Sequence, residues 1–362
     1  MKSLILPALL LAAGGAARAE ATRTERLELA ITPGAAFAVE NLAGTMRVVA
    51  GTGSKVTAVA VLHAESAEVL AKMALTRVDG ASGEQILRVV YPTADYGAVR
   101  YDGSGQGDSG WLSSMFGGNS NTTTKYAGEK VRVSSGKGTL MYAEVEVQVP
   151  SAAADGAFRN VVGDLDANGL SLRKMTFDSG SGNLSLVDLT GDVGADTGSG
   201  DIKASRISGS FDGDTGSGDI SLTDLDGDSI TCDTGSGDIE VRDVVARTMD
   251  ADTGSGDILA AEVDLEEFKA DTGSGDVELL VKGGRLTSVD ADTGSGNVVL
   301  GLGPDASFEA RGDIGSGDIE SRFSDAEAIT QGREVVGYRR GGGRTRVSVS
   351  TGSGDLVLKP GR

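Results

Sequence analysis

The sequence predicts an all-β protein in which more than the C-terminal half is a parallel β-solenoid, also called a β-helix. One observation behind this is a turn with the consensus Asp-Thr-Gly-Ser-Gly-Asp that recurs nine times. Another is that apolar and polar residues alternate on both sides of each turn, as in strands with one buried face. The first glycine of the nine turns is Gly180, Gly198, Gly216, Gly235, Gly254, Gly273, Gly294, Gly315 and Gly352.

The spacing of the turns indicates how much chain makes one coil. Successive first glycines are separated by 18, 18, 19, 19, 19, 21, 21 and 37 residues. A period near 19 that persists over so many copies is typical of stacked repeats, in which each unit buries its apolar face against its neighbours. The last step is close to two periods. Either one coil there has lost its turn, or a loop is inserted.

Each repeat predicts two strands. After the turn, apolar and polar residues alternate, as in Ile220-Ser221-Leu222, and before the turn a large apolar residue is followed by a small one two positions later. Two strands in about 19 residues fit one solenoid coil, with each strand parallel to its copy about 4.8 Å away. Like residues are then expected to stack in columns. The large inward column contains Phe211, Ile230, Met249 and Phe268.

The residues of the turn suggest why the chain reverses there. Glycine adopts positive φ angles without steric strain. An Asp side chain can accept a hydrogen bond from the amide two residues further on. We therefore expect the glycines to supply left-handed backbone angles and the aspartates to brace the turn from within.

The first 19 residues have the layout of a secretory signal peptide. Lys2 precedes an apolar run from Leu4 to Ala13, and the triplet Ala17-Arg18-Ala19 follows it. The run is shorter than the roughly 20 residues that a membrane span needs. We therefore expect cleavage after Ala19, no transmembrane segment in the mature chain, and a secreted, periplasmic or cell-surface protein.

The remainder is predicted to contain two regions. Residues 20–150 form a β-rich N-terminal region with a short helix from Ser66 to Leu75 and a Gly-, Ser- and Asn-rich loop at 93–129. Residues 151–362 form the β-solenoid repeats. Whether the N-terminal region belongs to the same solenoid stays open at this point.

The charge and the cysteine content limit the partners and the means of stabilisation. The net charge is −20, and loss of Lys2 and Arg18 with the signal peptide lowers it by two, to −22. Such a field repels nucleic acid and anionic lipid, so we expect no nucleic-acid partner. Cys232 is the only cysteine, so no internal disulfide can form.

The order of these segments resembles a known family. The alternating strand that ends in Val149-Pro150, the repeated Gly-Asp-Ile/Val turns and the final segment from Val347 to Asp355 are similar to the bacterial "putative adhesin" domains of β-strand repeats and to the related toast-rack domains of envelope-stress proteins. The resemblance covers roughly residues 35–360. It implies a β-solenoid exposed to the periplasm or cell surface, and it supplies no catalytic residues.

Two rows of aspartates are candidate metal ligands. Stacking places like charges in register, and two carboxylates about 4.8 Å apart repel by roughly 1 kcal/mol in water. Hydrogen bonds from turn amides, outward splaying of the side chains, or bound Ca²⁺ would offset this cost. We expect the first two to dominate, with weak or no calcium binding and no other cofactor. The eight carboxylates are Asp214, Asp233, Asp252 and Asp271 before the turn, and Asp219, Asp238, Asp257 and Asp276 after it.

A basic cluster near the C-terminus is a candidate binding patch for acidic glycans or lipid head groups. The alternative is a solvated loop that faces acidic turns of its own solenoid. The cluster consists of Arg333, Arg339, Arg340, Arg344 and Arg346.

Parts of the sequence suggest two kinds of enzyme, and we expect neither. Aspartic proteases use Asp-Thr-Gly-Ser, but they need two such Asp facing each other to share one proton, whereas these copies lie along one edge. A polysaccharide-active β-helix enzyme needs acidic and basic groups on neighbouring coils. Lys203, Arg206 and Arg242 lie near acidic residues without forming a recurring cluster.

The function that the sequence favours is therefore an exported, adhesin-like, non-catalytic binding or structural module of the cell envelope. Its partner would be an envelope or surface component, either glycan or protein. The alternatives are the polysaccharide-active β-helix enzyme and a regulatory component of an envelope-stress system.

Overall fold

The computed structural model describes residues 20–31, 34–80, 83–103, 121–151 and 155–361. The predicted signal peptide lies outside these residues. The chain forms two compact units, which divide between Ser185 and Leu186. Within the described residues, no helix is long and apolar enough to cross a membrane.

The first unit consists mainly of strands. Its helices are α1 (Ala67–Lys72) and α2 (Thr93–Tyr96). Its strands are β1 (Ala21–Ala30), β2 (Ala36–Gly51), β3 (Lys55–Ala64), β4 (Ala74–Asp79), β5 (Gln85–Val90), β6 (Ala98–Arg100), β7 (Asn121–Tyr126), β8 (Glu129–Ser134), β9 (Thr139–Pro150), β10 (Asp155–Val162), β11 (Leu165–Asn168) and β12 (Ser171–Ser179).

Parallel stacking already begins in the N-terminal region. Strand β2 pairs in parallel with β10 and β11, and β10 pairs in parallel with β12. A buried polar contact marks this stack, because the Asn41 side-chain amide donates to Asn160 Oδ1 at 2.9 Å. The remaining strands add antiparallel pairs, such as β1 with β3 and β3 with β9. The predicted boundary at 150/151 therefore falls inside one set of paired strands.

Two local predictions in the first unit have different outcomes. The short helix is present as α1, and the hydroxyl of Ser66 caps it by accepting the Val69 amide at 3.3 Å. The predicted loop at 93–129 is wrong at its two ends, because α2, β6 and β7 occupy them. Residues 122–124 are all threonine, and such β-branched residues favour strands despite their polarity. The middle of that segment, residues 104–120, lies outside the described residues.

The second unit contains only strands among its described elements. They are β13 (Leu184–Thr197), which begins just before the division, β14 (Ile202–Ser208), β15 (Phe211–Thr215), β16 (Ile220–Asp226), β17 (Ser229–Thr234), β18 (Ile239–Val245), β19 (Thr248–Thr253), β20 (Ile258–Val263), β21 (Glu267–Thr272), β22 (Val277–Val281), β23 (Ser288–Thr293), β24 (Val298–Leu302), β25 (Phe308–Ile314), β26 (Ile319–Ser321), β27 (Glu327–Gln331), β28 (Glu334–Arg340), β29 (Thr345–Thr351) and β30 (Leu356–Pro360).

The second unit confirms the predicted parallel β-solenoid. Strand β15 pairs in parallel with β17, β17 with β19, and β19 with β21, while β16, β18, β20 and β22 form a second parallel row. Equivalent residues face each other in these pairs, apart from a register shift after Ala261 between β20 and β22, so the chain advances by one coil per repeat. The predicted inward column is confirmed, since Phe211, Ile230, Met249 and Phe268 are at most 2% exposed.

A column of buried threonine hydroxyls runs beneath the turns. In one coil, the hydroxyl of Thr253 donates to the carbonyl oxygen of Gly237 in the preceding coil at 2.8 Å and accepts the amide of Gly256 in its own turn at 3.1 Å. The hydroxyl thus uses its hydrogen and a lone pair to satisfy two backbone groups. The threonines that donate in this way include Thr215, Thr234, Thr253, Thr272, Thr293 and Thr351.

The turn glycines act differently from the prediction. Positive φ angles occur at other glycines and at none of the nine predicted turns, so that expectation was wrong. A Cβ atom on Gly256 would instead overlap the carbonyl oxygen of Gly237 in the preceding coil, and the other copies repeat this relation. The coils therefore approach so closely at the turn that no side chain fits there.

A second corner of the coil was not predicted from the sequence. It places a non-glycine residue in the left-handed region, with φ between 54° and 60°, once in each of five coils. Two successive side chains then point outward, which interrupts the alternation of β13, β14, β16 and β18. Aspartate tolerates these angles better than most residues do, because its short side chain bonds locally. The five residues are Asp188, Arg206, Asp224, Asp243 and Glu262.

The last coils do not stack in chain order. Strand β29 pairs in parallel with β23 on one side and with β25 on the other, and β30 lies likewise between β24 and β26. The coil of Gly352 therefore lies between the coils of Gly294 and Gly315, although it comes last in the chain. The 37-residue step is explained by the insertion of the hairpin β27–β28, whose strand β28 pairs antiparallel with β25.

The inward column gives a prediction about stability. Phe268→Ala should lower the free energy of unfolding by roughly 3–5 kcal/mol, because it removes apolar burial and leaves a cavity. Glu240→Ala, on the outward side of β18, should cost less than about 0.5 kcal/mol. Chemical denaturation of both variants provides the measurement. The reverse ranking would show that the two faces of the strands are assigned wrongly.

The hydroxyl column gives a second prediction. Thr253→Val keeps the shape but leaves the Gly237 carbonyl and the Gly256 amide without their partner, at about 1–3 kcal/mol for each unsatisfied group. Thr253→Ser keeps the hydroxyl and loses one methyl group, which is worth roughly 1 kcal/mol. In urea denaturation the valine variant should be the less stable of the two. Equal losses would mean that the hydroxyl contributes nothing.

Candidate functional site

The row of aspartates after the turn is held by backbone amides. The carboxylate of Asp238 accepts the amide of Asp257, its equivalent in the next coil, at 2.9 Å. The same bond recurs in the neighbouring coils. Asp219 accepts the amide of Asp238 at 2.9 Å, and Asp257 accepts the amide of Asp276 at 2.8 Å. Each carboxylate therefore faces a donor on the neighbouring coil, which is one of the offsets that we predicted for stacked charges.

The row of aspartates before the turn is in register and exposed. Asp214 pairs with Asp233, Asp233 with Asp252, and Asp252 with Asp271 along the strands. Partial burial, followed by the neighbouring Asp charges, raises the pKa of Asp214, Asp233 and Asp252 above the usual value. These carboxylates point outward beside each other and repel, which lowers the stability of their ionised forms.

The arrangement of the eight carboxylates bears on calcium. Ca²⁺ takes six to eight oxygen ligands that converge on one point. One row is directed at backbone amides, while the other points outward along an edge. Among the described residues, no group of three or more His, Cys, Asp or Glu side chains is arranged to hold a metal ion. Weak or absent calcium binding stays a prediction, with its test given below.

The five arginines of the predicted basic patch are not one continuous surface. Arg339 forms an ion pair with Glu309, and Arg340 forms one with Asp325 at 2.7 Å. These arginines hold the pKa of both carboxyls below the usual range. Arg346 lies on β29 directly beside Glu309 in the strand register. The acidic side chains therefore interrupt the patch. The other two arginines, Arg333 and Arg344, are exposed in the turns on either side of β28.

Arg340 also has a structural role. Its guanidinium donates to the carbonyl oxygens of Pro304 at 2.7 Å and Ala306 at 2.8 Å, and it lies 4.9 Å from the centre of the Phe323 ring. These contacts fasten the hairpin β27–β28 to the loop before β25. The guanidinium of Arg340 therefore stabilises the fold by contacts within the chain.

The outer side of the coil of Gly315 is a groove that sequence reasoning missed. Its floor is formed by the end of β25 and by β26, and its wall by the beginning of β28. The cavity measures about 720 Å³. Half-buried Ile314, Ile319, Val335 and Val336 lie in it. One signal was present in the sequence: Ile314 stands where the other turns of the solenoid have threonine or, before Gly180, serine.

The residues that suggested enzymatic activity lie side by side or next to groups of opposite charge. The Asp-Thr-Gly aspartates stand side by side on adjacent strands, as Asp233 and Asp252 do, and do not face each other across a cleft. Arg206 forms an ion pair with Asp188, and Arg242 with Glu240 on its own strand. Lys203 lies 3.8 Å from a carboxylate oxygen of Asp201. The three basic residues therefore have local acidic partners.

Cys232 is buried in the column of small inward residues. It is 1% exposed and stacks between Gly213 and Ala251. Burial raises the pKa of its thiol to about 12. A neutral, buried thiol is a poor nucleophile, so the residue packs as a small apolar side chain.

Comparison with known proteins supports the assignment of the repeats. Residues 208–359 match the family model described as Toastrack DUF4097. This match spans β15 to β30 and confirms the resemblance found in the sequence. That part of the chain is similar to toastrack domains.

Several solved structures are similar over most of their length. A "putative adhesin" from Parabacteroides merdae shares 9% identity, with coverage of 93% of this chain and 96% of that chain and a TM-score of 0.39. A "putative lipid binding protein" from Parabacteroides distasonis shares 11% identity, with coverage of 93% and 97% and a TM-score of 0.38. At TM-scores below 0.5 these likenesses determine neither fold nor function. A search of the curated proteins finds no match.

The two carboxylate rows give a prediction about calcium. Because one row is bonded to amides and the other points outward, Ca²⁺ should act mainly by screening charge. Thermal melts in chelator, in millimolar Ca²⁺ and in NaCl of matched ionic strength provide the test. The two salts should raise the melting temperature equally. A large rise with Ca²⁺ alone would identify a calcium-dependent solenoid.

Proposed function

We propose that the protein is an exported, non-catalytic binding or structural module of the cell envelope. The toastrack match over residues 208–359 supports a repeat domain that acts by binding or as a structural element. The signal-like layout of residues 1–19 supports export.

The observation that carries the proposal is the use of charged side chains to join coils. Arg247 donates to Asp228 at 3.0 Å, Lys269 to Asp250 at 3.2 Å, and Arg285 to Asp264 at 3.1 Å. The partners in each pair are 19 to 21 residues apart, which is one coil. The charged side chains that a polysaccharide-cleaving enzyme would direct at a substrate thus form ion pairs between adjacent coils. This use of charge favours a scaffold over a catalyst.

The export part of the proposal predicts a processed chain in the envelope fraction. Mass spectrometry of that fraction should find Glu20 as the N-terminus. The matched control replaces Ala17 and Ala19 with leucine, which removes the small residues that signal peptidase requires and should leave an uncleaved precursor. A full-length chain in the cytoplasm of the unaltered strain would contradict export.

The non-catalytic part predicts no polysaccharide cleavage. The purified mature chain is incubated with envelope and plant-type acidic polysaccharides, and new reducing ends and unsaturated products are measured against buffer. No increase is expected. An increase that is abolished by Arg242→Ala would establish the enzyme instead.

A further inference from the structure

Each coil of the second unit presents the same bonding pattern to the coil that stacks on it. In one pair, the amide of Ile239 donates to the carbonyl of Asp257 at 2.9 Å, and the amide of Gly254 donates to the carbonyl of Thr234 at 3.2 Å. The carboxylate of Asp238 accepts the amide of Asp257, and the hydroxyl of Thr253 donates to the carbonyl of Gly237. Around its turn, besides the strand pairing, a coil therefore offers four positions for bonding: one amide, one carboxylate and two carbonyls.

The coil of Gly315 is the end of this stack, and part of its outer edge has no strand beside it. On the inner side of this coil, β25 pairs in parallel with β29, and β26 pairs in parallel with β30. On the outer side, β28 covers β25 from Phe308 to Arg311. Within the described residues, no strand pairs with the outer side of Gly312–Ile314 or of β26. We call these two segments, together with the turn that joins them, the end-coil edge.

The end-coil edge keeps the four positions of an interior coil. By register they are the carbonyls of Ile314 and Gly317, the carboxylate of Asp318 and the amide of Ile319. The amide of Asp318 itself donates to Asp355 on the inner side at 2.9 Å, which confirms that this turn has the register of the others. Unpaired edges of this kind are sites where a further strand adds by main-chain hydrogen bonds.

The groove beside the edge has room and apolar surface for such a strand. The first half of β28, with Val335 and Val336, diverges from β25 and leaves about 720 Å³ between them. Ile314 and Ile319 are half-buried there, whereas Thr293 and Val298, which hold the same positions in an interior coil, are fully covered. A strand that entered the groove would complete the burial of these side chains.

We propose that the end-coil edge binds an extended peptide strand from a partner protein, which adds in parallel as one further coil. The stack dictates the sequence of that strand. It needs glycine at both turn positions, because a Cβ at either would overlap a carbonyl oxygen of the coil below, as in all interior coils. It also needs a serine or threonine before the first glycine, so that a hydroxyl can reach the Gly317 carbonyl. The required core is thus Ser/Thr-Gly-x-Gly.

The charge of the groove selects a basic strand. Among the described residues, no ion pair involves the carboxylates of Asp313, Asp318 or Glu334, while Arg311 is paired with Glu309 at 3.0 Å. A residue that precedes the hydroxyl of the incoming strand would stand beside Asp313. Lysine or arginine there would remove the repulsion that an aspartate in that position would bring.

This inference rests on the proposed function, since it names the class of partner for a binding module. The probe is a labelled synthetic peptide with the core Lys-Thr-Gly-Ser-Gly-Asn-Ile between alternating apolar and polar residues. Its matched control has alanine at both glycines. Fluorescence anisotropy with the purified mature chain should show at least tenfold weaker binding of the alanine peptide. Equal binding, or no binding of either peptide, would overturn the proposal.

Two variants of the chain locate the site. Asp318→Lys removes the carboxylate acceptor and reverses the charge, and should reduce affinity for the glycine peptide at least tenfold. Glu267→Lys makes the same charge change at an exposed position of β21, in an interior coil, and should leave affinity within twofold. Circular dichroism melts verify that both variants fold. If the two variants bind alike, the end-coil edge is not the site.

Two further outcomes remain distinct. If the mature chain sediments as a dimer that Asp318→Lys dissociates, a second copy occupies the edge and the proposed partner is wrong. Because all of these measurements use the purified chain, their failure leaves the export test untouched. A failed export test likewise leaves the peptide result standing.

Discussion

The solenoid of the second unit depends on the bond between a buried threonine hydroxyl and a glycine carbonyl of the preceding coil. At Thr253 this bond is 2.8 Å long, and the same hydroxyl receives an amide from its own turn. One side chain therefore closes its turn and fixes the height of its coil. The two turn glycines are a consequence, since coils held so closely leave no space for a Cβ. The consensus is thus a stacking motif as well as a turn.

The same constraint explains how so acidic a chain stays stacked. The hydroxyl column sets the register, and in that register each aspartate after the turn lies beside the amide of its equivalent in the next coil. Repulsion between neighbouring carboxylates is offset by a charge-assisted hydrogen bond to each of them. Asp214 and Asp233, before the turn, point outward instead, and partial burial followed by the neighbouring Asp charges raises their pKa values.

The columns and the strand positions could be predicted from the sequence because they follow from a period of two within a period near 19. Phe211 to Phe268 stack as expected for that reason. The role of the glycines was misjudged, because a close approach between coils involves residues 19 apart and leaves no mark on local pattern. The corner at Asp243 could not be predicted, because in the sequence an aspartate with a positive φ looks the same as any other exposed aspartate.

The order of the last coils was also beyond the sequence. A repeat period shows that coils stack but does not show which coil lies next to which. Nothing in the 37-residue step indicates that the last coil inserts between two earlier ones. Ile314 was the available clue. An interior coil needs a hydroxyl in that position, whereas the turn of the end coil is open to water. The groove, and with it the candidate site, follows from this order.

The order of the coils is the central claim, and disulfide trapping tests it most directly. Asp290, Ser348 and Arg311 point outward in one row, with Ser348 in the middle. In a Cys232→Ala background, mild oxidation of cysteine pairs at 290/348 and at 311/348 should form intramolecular disulfides, seen as a mass loss of about 2 Da in the monomer. The pair at 290/311 should stay reduced, because its Cα atoms are about two strand spacings apart, beyond the reach of a disulfide. Crosslinking of 290/311 without 290/348 would contradict the account.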